Sequence, residues 1–273
     1  MQNLMGALAE QVDFTRTIIV FALIMARIMA IVVLVPFLGG KNAPMEVKMG
    51  VGITLTMLLW PTVLANLDPD AGLPLNPLGF LIMMMKETFV GLVIGFVASK
   101  VFYVVEIAGQ LMDLLRGANQ IQLQVPEIEE RSSAFGSLNF QLLLALFLAL
   151  ELHRPFIAAL FESFVAVPIN DFPHFQAGFA PFVDYTARIT ADVITIAVLL
   201  AMPMGIVTLI VETGFGLINR VAPQINAYFM AMPAKVLGGC LVFFLSIDLI
   251  IEQMLLHSVK MLEHVDAVIE LMA

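Results

Sequence analysis

The run TIIVFALIMARIMAIVVLVPFL, from Thr17 to Leu38, is long enough to cross a bilayer and carries one charge, Arg27, near its middle. About 20 mostly apolar residues fill the hydrocarbon layer, and an arginine at its centre costs about 2.5 to 3.5 kcal/mol on insertion scales. Arg27 should therefore face protein and meet an acid from another helix, with Glu87 as the first candidate. The same length argument picks out Met49 to Leu67 and Val193 to Val211, both free of charge. Gly79 to Val105 is apolar but overlong and holds Lys86, Glu87 and Lys100, so this segment should tilt, bend or protrude. Ala134 to Leu150 and Val236 to Ile251 are shorter, the second with Asp248 inside it. The expectation is an all-α, polytopic hydrophobic protein with about six long hydrophobic segments, broken helical hairpins allowed among them, forming a single domain over residues 1–273.

Composition agrees. Apolar residues make up 60% of the chain and charged residues 13%, about half the charge that coats an ordinary soluble domain. The net charge of −9 has the wrong sign for a protein that must neutralise phosphates, which sets nucleic acid aside. The histidines show no metal-ligand spacing, and Ser246 and Asp248 have no histidine partner in the sequence pattern, so neither a metal, a cofactor nor an enzymatic site is expected. The N-terminal stretch, with Glu10 and Asp13 before its apolar run, reads as a poor signal peptide. The basic residues at Lys41, Lys48, Arg116, Arg131, Arg220 and Lys235 share one side in a six-span arrangement, which the positive-inside rule makes cytoplasmic.

Three other stretches carry information. The connection from Gly109 to Ser133, GQLMDLLRGANQIQLQVPEIEERSS, is long for a link between helices. Its middle alternates Gln120, Ile121, Gln122, Leu123, Gln124 and Val125 before Pro126, an extended-chain pattern. Backbone of that kind is not tolerated against lipid, so it must lie in water, in protein or along a cavity. Asp113 and Arg116, three residues apart, can pair locally. The stretch from Phe172 to Tyr185 places five aromatic residues at three- and four-residue steps, read as an interfacial belt ahead of a partner-binding groove, with Pro173 and Pro181 interrupting any long helix. Residues 252–273 form an amphipathic C-terminal helix with Leu255, Val259, Leu262, Ile269 and Met272 near one face, continuing the segment before it.

Arg27, the PFLGG turn at Pro36, Pro44, KETFVGLVIGF from Lys86, AGQLMDLLRGA from Ala108, SFVAVP from Ser163 and RVAPQINAYF from Arg220 occur in one order and at one spacing. Together they resemble the FliR/SctT family, the R/T subunit of the type III secretion export gate shared by flagella and injectisomes. The resemblance implies one copy of this subunit in a helical assembly with several P/R-type and Q/S-type subunits, and an associated FlhB/SctU-type switch subunit. It implies a place in the bacterial inner membrane at the base of the apparatus, raised towards the periplasm, and unfolded secretion substrates in transit. It further implies that the connection forms a pore plug, here Gly109, Asp113, Arg116 and Gly117 with Asn119, Gln120, Gln122, Gln124 and Pro126. Arg27, Glu87, Arg220, Pro223 and Gln224 would serve as buried charges or assembly positions. The RGA and SSAFGSL runs look closer to the injectisome branch than to the flagellar one. The competing reading is an ion-coupled secondary transporter, in which Arg27, Glu87 and Asp248 would line the ion pathway; it would be favoured by inverted repeats.

Overall fold

A computed structural model of the chain describes residues 14–39, 43–67, 76–117, 133–175, 178–224 and 226–273. The regular structure among these residues is helical throughout. The helices are α1 (Phe14–Leu34), α2 (Pro36–Gly39), α3 (Met45–Asn66), α4 (Pro77–Leu115), α5 (Ala134–Ala149), α6 (His153–Ala166), α7 (Phe179–Val221), α8 (Ala227–Leu245) and α9 (Ile247–Met272). Five of them are long and apolar enough to cross a membrane, and α5 with α6 adds a sixth if that broken pair counts as one span. This is the architecture of a polytopic helical membrane protein.

The boundaries differ from the sequence expectation in instructive places. The first apolar run stops at Leu34, because Pro36 lacks the amide to continue the ladder and restarts the chain as the short α2. At the other end α4 continues ten residues past Val105, so Gly109 and Asp113 sit on its last turns rather than in a loop. Pro181 does not prevent α7, because a proline in the first turn removes an amide that would be unpaired anyway. Ser246 ends α8, and α9 begins as a separate helix. Its buried face is Ile250, Met254, Ser258, Met261, Val265, Val268, Ile269 and Met272, whereas Val259 of the expected stripe is 47% exposed. Ile269 and Met272 of that stripe are buried, and Leu255 and Leu262 are intermediate.

The chain divides into two compact units. One comprises Met1–Ser99, Leu152–Thr186 and Met261–Ala273; the other comprises Lys100–Glu151 and Ala187–Lys260. In the first, α1 packs on α2 and α3 and turns Val20, Leu23, Ile24, Ile28, Ile31 and Val32 inward. These recur at three- and four-residue steps, and Arg27 falls on the same stripe, which is why the helix buries it. Helix α4 approaches α1 closely at Gly91 and Gly95. A Cβ at Gly91 would overlap the Arg27 carbonyl and the Ala30 methyl, and at Gly95 it would stand 3.2 Å from the Ile31 Cα. Gly91→Val is therefore expected to cost about 1 to 3 kcal/mol, read as a lower melting temperature of the purified protein. Gly50→Val, where a Cβ would meet nothing within 4 Å, is the control that should change little.

In the second unit, Phe102 packs edge-on against Phe147 with ring centroids 5.6 Å apart, and Phe135 lies 4.6 Å from Phe243. Met204 packs where Gly239 leaves room. On α9, burial first, then Lys260 and Lys100, holds the His257 imidazole below its ordinary value, so its neutral form is the one the fold accommodates.

Candidate functional site

Two buried polar clusters involve residues of α4, one in each unit. The first lies in the first unit. Glu87 is fully buried and its Oε2 accepts from Arg27 Nε at 2.5 Å, so the two side chains singled out from the sequence meet. The rest of the arginine fork is directed at the end of α6, where Nη1 also donates to Ser163 Oγ at 3.3 Å. Arg27 Nη1 donates to the Ser163 carbonyl at 2.7 Å and Nη2 to the Val167 carbonyl at 2.8 Å, while the guanidinium lies 4.1 Å above the Phe164 ring. Lys86, the neighbour of Glu87, pairs with its other oxygen at 2.5 Å. The same ammonium donates to the carbonyls of Pro168, Ile169 and Asp171 at 2.9, 3.0 and 2.9 Å.

The chemistry of this cluster is that of a helix end. Helix α6 stops at Ala166 ahead of Pro168; its Ser163 carbonyl accepts from the Val167 amide at 3.0 Å, and the carbonyls of Val167, Pro168, Ile169 and Asp171 lie beyond the last helical residue. In an apolar setting each such carbonyl needs a donor, and the C-terminal end of a helix also carries partial negative charge. Two cations with one carboxylate between them answer both needs. Their net charge of one positive unit faces five carbonyls, which places α1, α4 and the turn after α6 in one fixed relation. The sequence drew attention to Arg27 and Glu87 through their cost, but it did not assign Ser163, Val167 or the backbone role of Lys86. The available signal was SFVAVP itself, an apolar helix ending just before a proline.

The second cluster lies in the second unit. Asp113, 3% exposed, holds Arg116 Nη2 at 2.6 Å through Oδ1. Its other oxygen turns to the start of α5, accepting from Ser133 Oγ at 2.5 Å and from the Phe135 amide at 3.1 Å. Ser133 is the N-cap of α5, and its Oγ accepts in turn from the Gly136 amide at 2.8 Å. The Arg116 guanidinium sits 4.5 Å over the Phe135 ring. Gly109 lets the two helices touch, because a Cβ there would overlap the Phe135 carbonyl and the Gly136 amide. Gly117 closes α4 with φ 81, a left-handed value suited to glycine at a helix end. Asn119, Gln120, Gln122, Gln124 and Pro126 lie outside the described residues.

The remaining sequence candidates are at the α7 to α8 turn. Arg220 is exposed in the last turn of α7, where a cation opposes the negative end of the helix. Pro223 and Gln224 are exposed turn residues, and Asn226 caps α8 by accepting from the Phe229 amide at 3.5 Å. This turn contributes to neither buried cluster.

The fold and the two clusters define a multi-span membrane protein whose buried charges organise helix ends. Residues 18–260 match the family described as bacterial export proteins, family 1. The chain is 31% identical to the Yop proteins translocation protein T of Yersinia pestis over 221 residues, 81% of this chain and 82% of that one. It is 27% identical to the secretion system apparatus protein SsaT of Salmonella typhimurium over 93% of this chain and 95% of that one. Against the flagellar biosynthetic protein FliR of Caulobacter vibrioides it is 27% identical over 84% and 88%. The chain belongs to the bacterial export proteins of family 1, the FliR/SctT family. It is thus an inner-membrane component of the export apparatus common to type III secretion and flagellar assembly, and not an enzyme.

Proposed function

We propose that this chain is the R/T subunit of a type III export gate, joining P/R-type and Q/S-type subunits and a FlhB/SctU-type switch subunit around a channel for unfolded substrate proteins. The connection between α4 and α5 supplies the plug of that channel, with Asn119, Gln120, Gln122, Gln124 and Pro126 in its middle. The observation that carries this reading is the junction at Asp113. A connection whose alternating polar and apolar residues cannot face lipid leaves α4 and enters α5 at one buried polar cluster. Arg220, Pro223 and Gln224 serve as assembly contacts, consistent with their exposure at a helix turn. The injectisome branch is favoured by the 31% identity to the Yersinia translocation protein against 27% to the Caulobacter flagellar protein. The assembly as a whole stands raised towards the periplasm, which accommodates helices longer than a bilayer is thick.

The test is co-expression with the P/R-type and Q/S-type subunits, followed by recovery of the complex and measurement of ion leak in cells that hold it. Wild type should co-purify with both partners. Deleting residues 119–124 should leave recovery within about twofold and raise the leak by about tenfold, a difference near 1.4 kcal/mol in closed-state bias. An assembled deletion complex with wild-type leak would reduce the connection to an ordinary link between helices.

A further inference from the structure

We infer that Asp113 is a clasp across the connection, a positioning residue that caps α5 from the last turns of α4 and so fixes where the connection is rooted. This rests on the plug reading for its consequence in the gate but on the described junction for its geometry. A sequence-based pairing of Asp113 with Arg116 would make the carboxylate a local partner within one helix turn. The structure gives it a second and more distant task. One oxygen holds Arg116, and the other holds the Ser133 hydroxyl and the Phe135 amide, 20 and 22 residues further on.

The hydrogen bonds form a relay with every donor assigned. Ser133 gives its hydroxyl proton to Asp113 and accepts from the Gly136 amide; the Phe135 amide goes directly to Asp113. Two of the first amides of α5, which a helix cannot satisfy by itself, are thereby satisfied, one of them by a charge on another helix. A carboxylate is also the right sign for a helix N-terminus. Arg116 adds its guanidinium over Phe135, and the absence of side chains at Gly109 and Gly136 brings the two backbones close enough for the relay. The end of α4 and the start of α5, which flank residues 118–132 in the chain, are thus tied together by groups that belong to the helices. Changing the composition of that segment leaves its root in place; changing Asp113 releases the root without touching the segment.

The two accounts of Asp113 part at the charge swap. If Asp113 and Arg116 mainly hold each other, Asp113→Arg with Arg116→Asp restores the pair. If Asp113 is the clasp, the swap fails, because an arginine has no acceptor for the Phe135 amide or the Ser133 proton. The measurement is hydrogen exchange at the Phe135 and Gly136 amides, by mass spectrometry of a peptide covering residues 133–140, on the full chain purified in its complex. Both Asp113→Leu and the swap should speed exchange about tenfold or more, whereas Arg116→Gln should stay within about threefold of wild type. Asp113→Asn, which keeps an acceptor oxygen but no charge, should fall between. Should Asp113→Leu fail to assemble, Ser133→Ala carries the test. It removes one relay member and should speed Gly136 exchange by about threefold to tenfold. Protection restored by the swap, or unchanged exchange in Asp113→Leu or, where that variant does not assemble, in Ser133→Ala, would overturn the clasp. Leak measured on the same samples separates the two proposals. Protected amides with no leak on deleting 119–124 would remove the plug and keep the clasp, and unprotected amides in wild type would do the reverse.

Discussion

Arg27→Leu is expected to prevent stable accumulation of the protein and its recovery in the export complex. The substitution leaves a carboxylate with no exposure to solvent to Lys86 alone and takes the charged donor from the Ser163 and Val167 carbonyls. Breaking one side of a buried ion pair costs about 3 to 5 kcal/mol; with Lys86 still paired to Glu87 the loss should fall near the lower figure, still a large share of the roughly 5 to 15 kcal/mol by which proteins are stable. Arg27→Lys should not rescue it, because an ammonium cannot reproduce a fork that holds a carboxylate and two carbonyls in different directions. The double change Arg27→Leu with Glu87→Leu should not recover the loss, because it removes the carboxylate that Lys86 still pairs with and leaves the Val167 carbonyl without its charged donor. The measurement is the steady-state level and melting temperature of each variant in parallel. Wild-type recovery of Arg27→Leu would mean that this pair has no necessary role in assembly.

Lys86→Met should have the next largest effect, and a more local one. Glu87 keeps Arg27, so no carboxylate is stranded. What is lost is a shared donor for the carbonyls of Pro168, Ile169 and Asp171. A hydrogen bond to a charged group contributes about 1.5 to 3 kcal/mol, and because three carbonyls share one ammonium the total should be nearer the upper figure than three times it. The stretch after α6 should loosen first, so that proteolysis or hydrogen exchange at residues 167–175 rises before any global unfolding. Lys86→Arg, with its different fork, should restore part of the protection. If Lys86→Met melts as a whole at once with no local loosening, the lysine is holding the unit together and not the turn.

Much of this was legible from residue type and spacing. Arg27 stood out because a charge in the middle of an apolar run demands a partner, and Glu87 was the nearest acid in a comparable position. Other features were hidden because backbone carbonyls leave no mark in a sequence: the ends of α6 could be guessed from Pro168, but not which cations would reach them. Asp113 and Arg116 were visible as a pair three residues apart, since helical spacing makes such pairs obvious. Ser133 was not, because its approach depends on Gly109 and Gly136 and on a fold that brings α5 back to the end of α4. The C-terminal stripe was legible only in part, at Ile269 and Met272. Ser246 ends one helix and starts another without a proline or glycine to announce it, and the buried face of α9 is set by the elements packed on it, which the sequence does not display.

The 43 residues of α7 amount to ~64 Å of helix at 1.5 Å per residue, against a hydrocarbon layer of about 30 Å. Ile194, Leu199, Ile206, Leu209, Leu217 and Val221 along it are all more than half exposed. Its charge-free stretch, Val193 to Val211, is about the length of that layer, so the turns beyond it on either side, with Phe179, Leu217 and Val221 exposed, lie outside the hydrocarbon. A lone subunit released from the insertion machinery would present apolar helix to water on one side of the bilayer or the other. The order of biogenesis follows: its neighbours must be at hand as it is made, and supplying this chain in excess of them should feed quality-control proteases before it builds more gates.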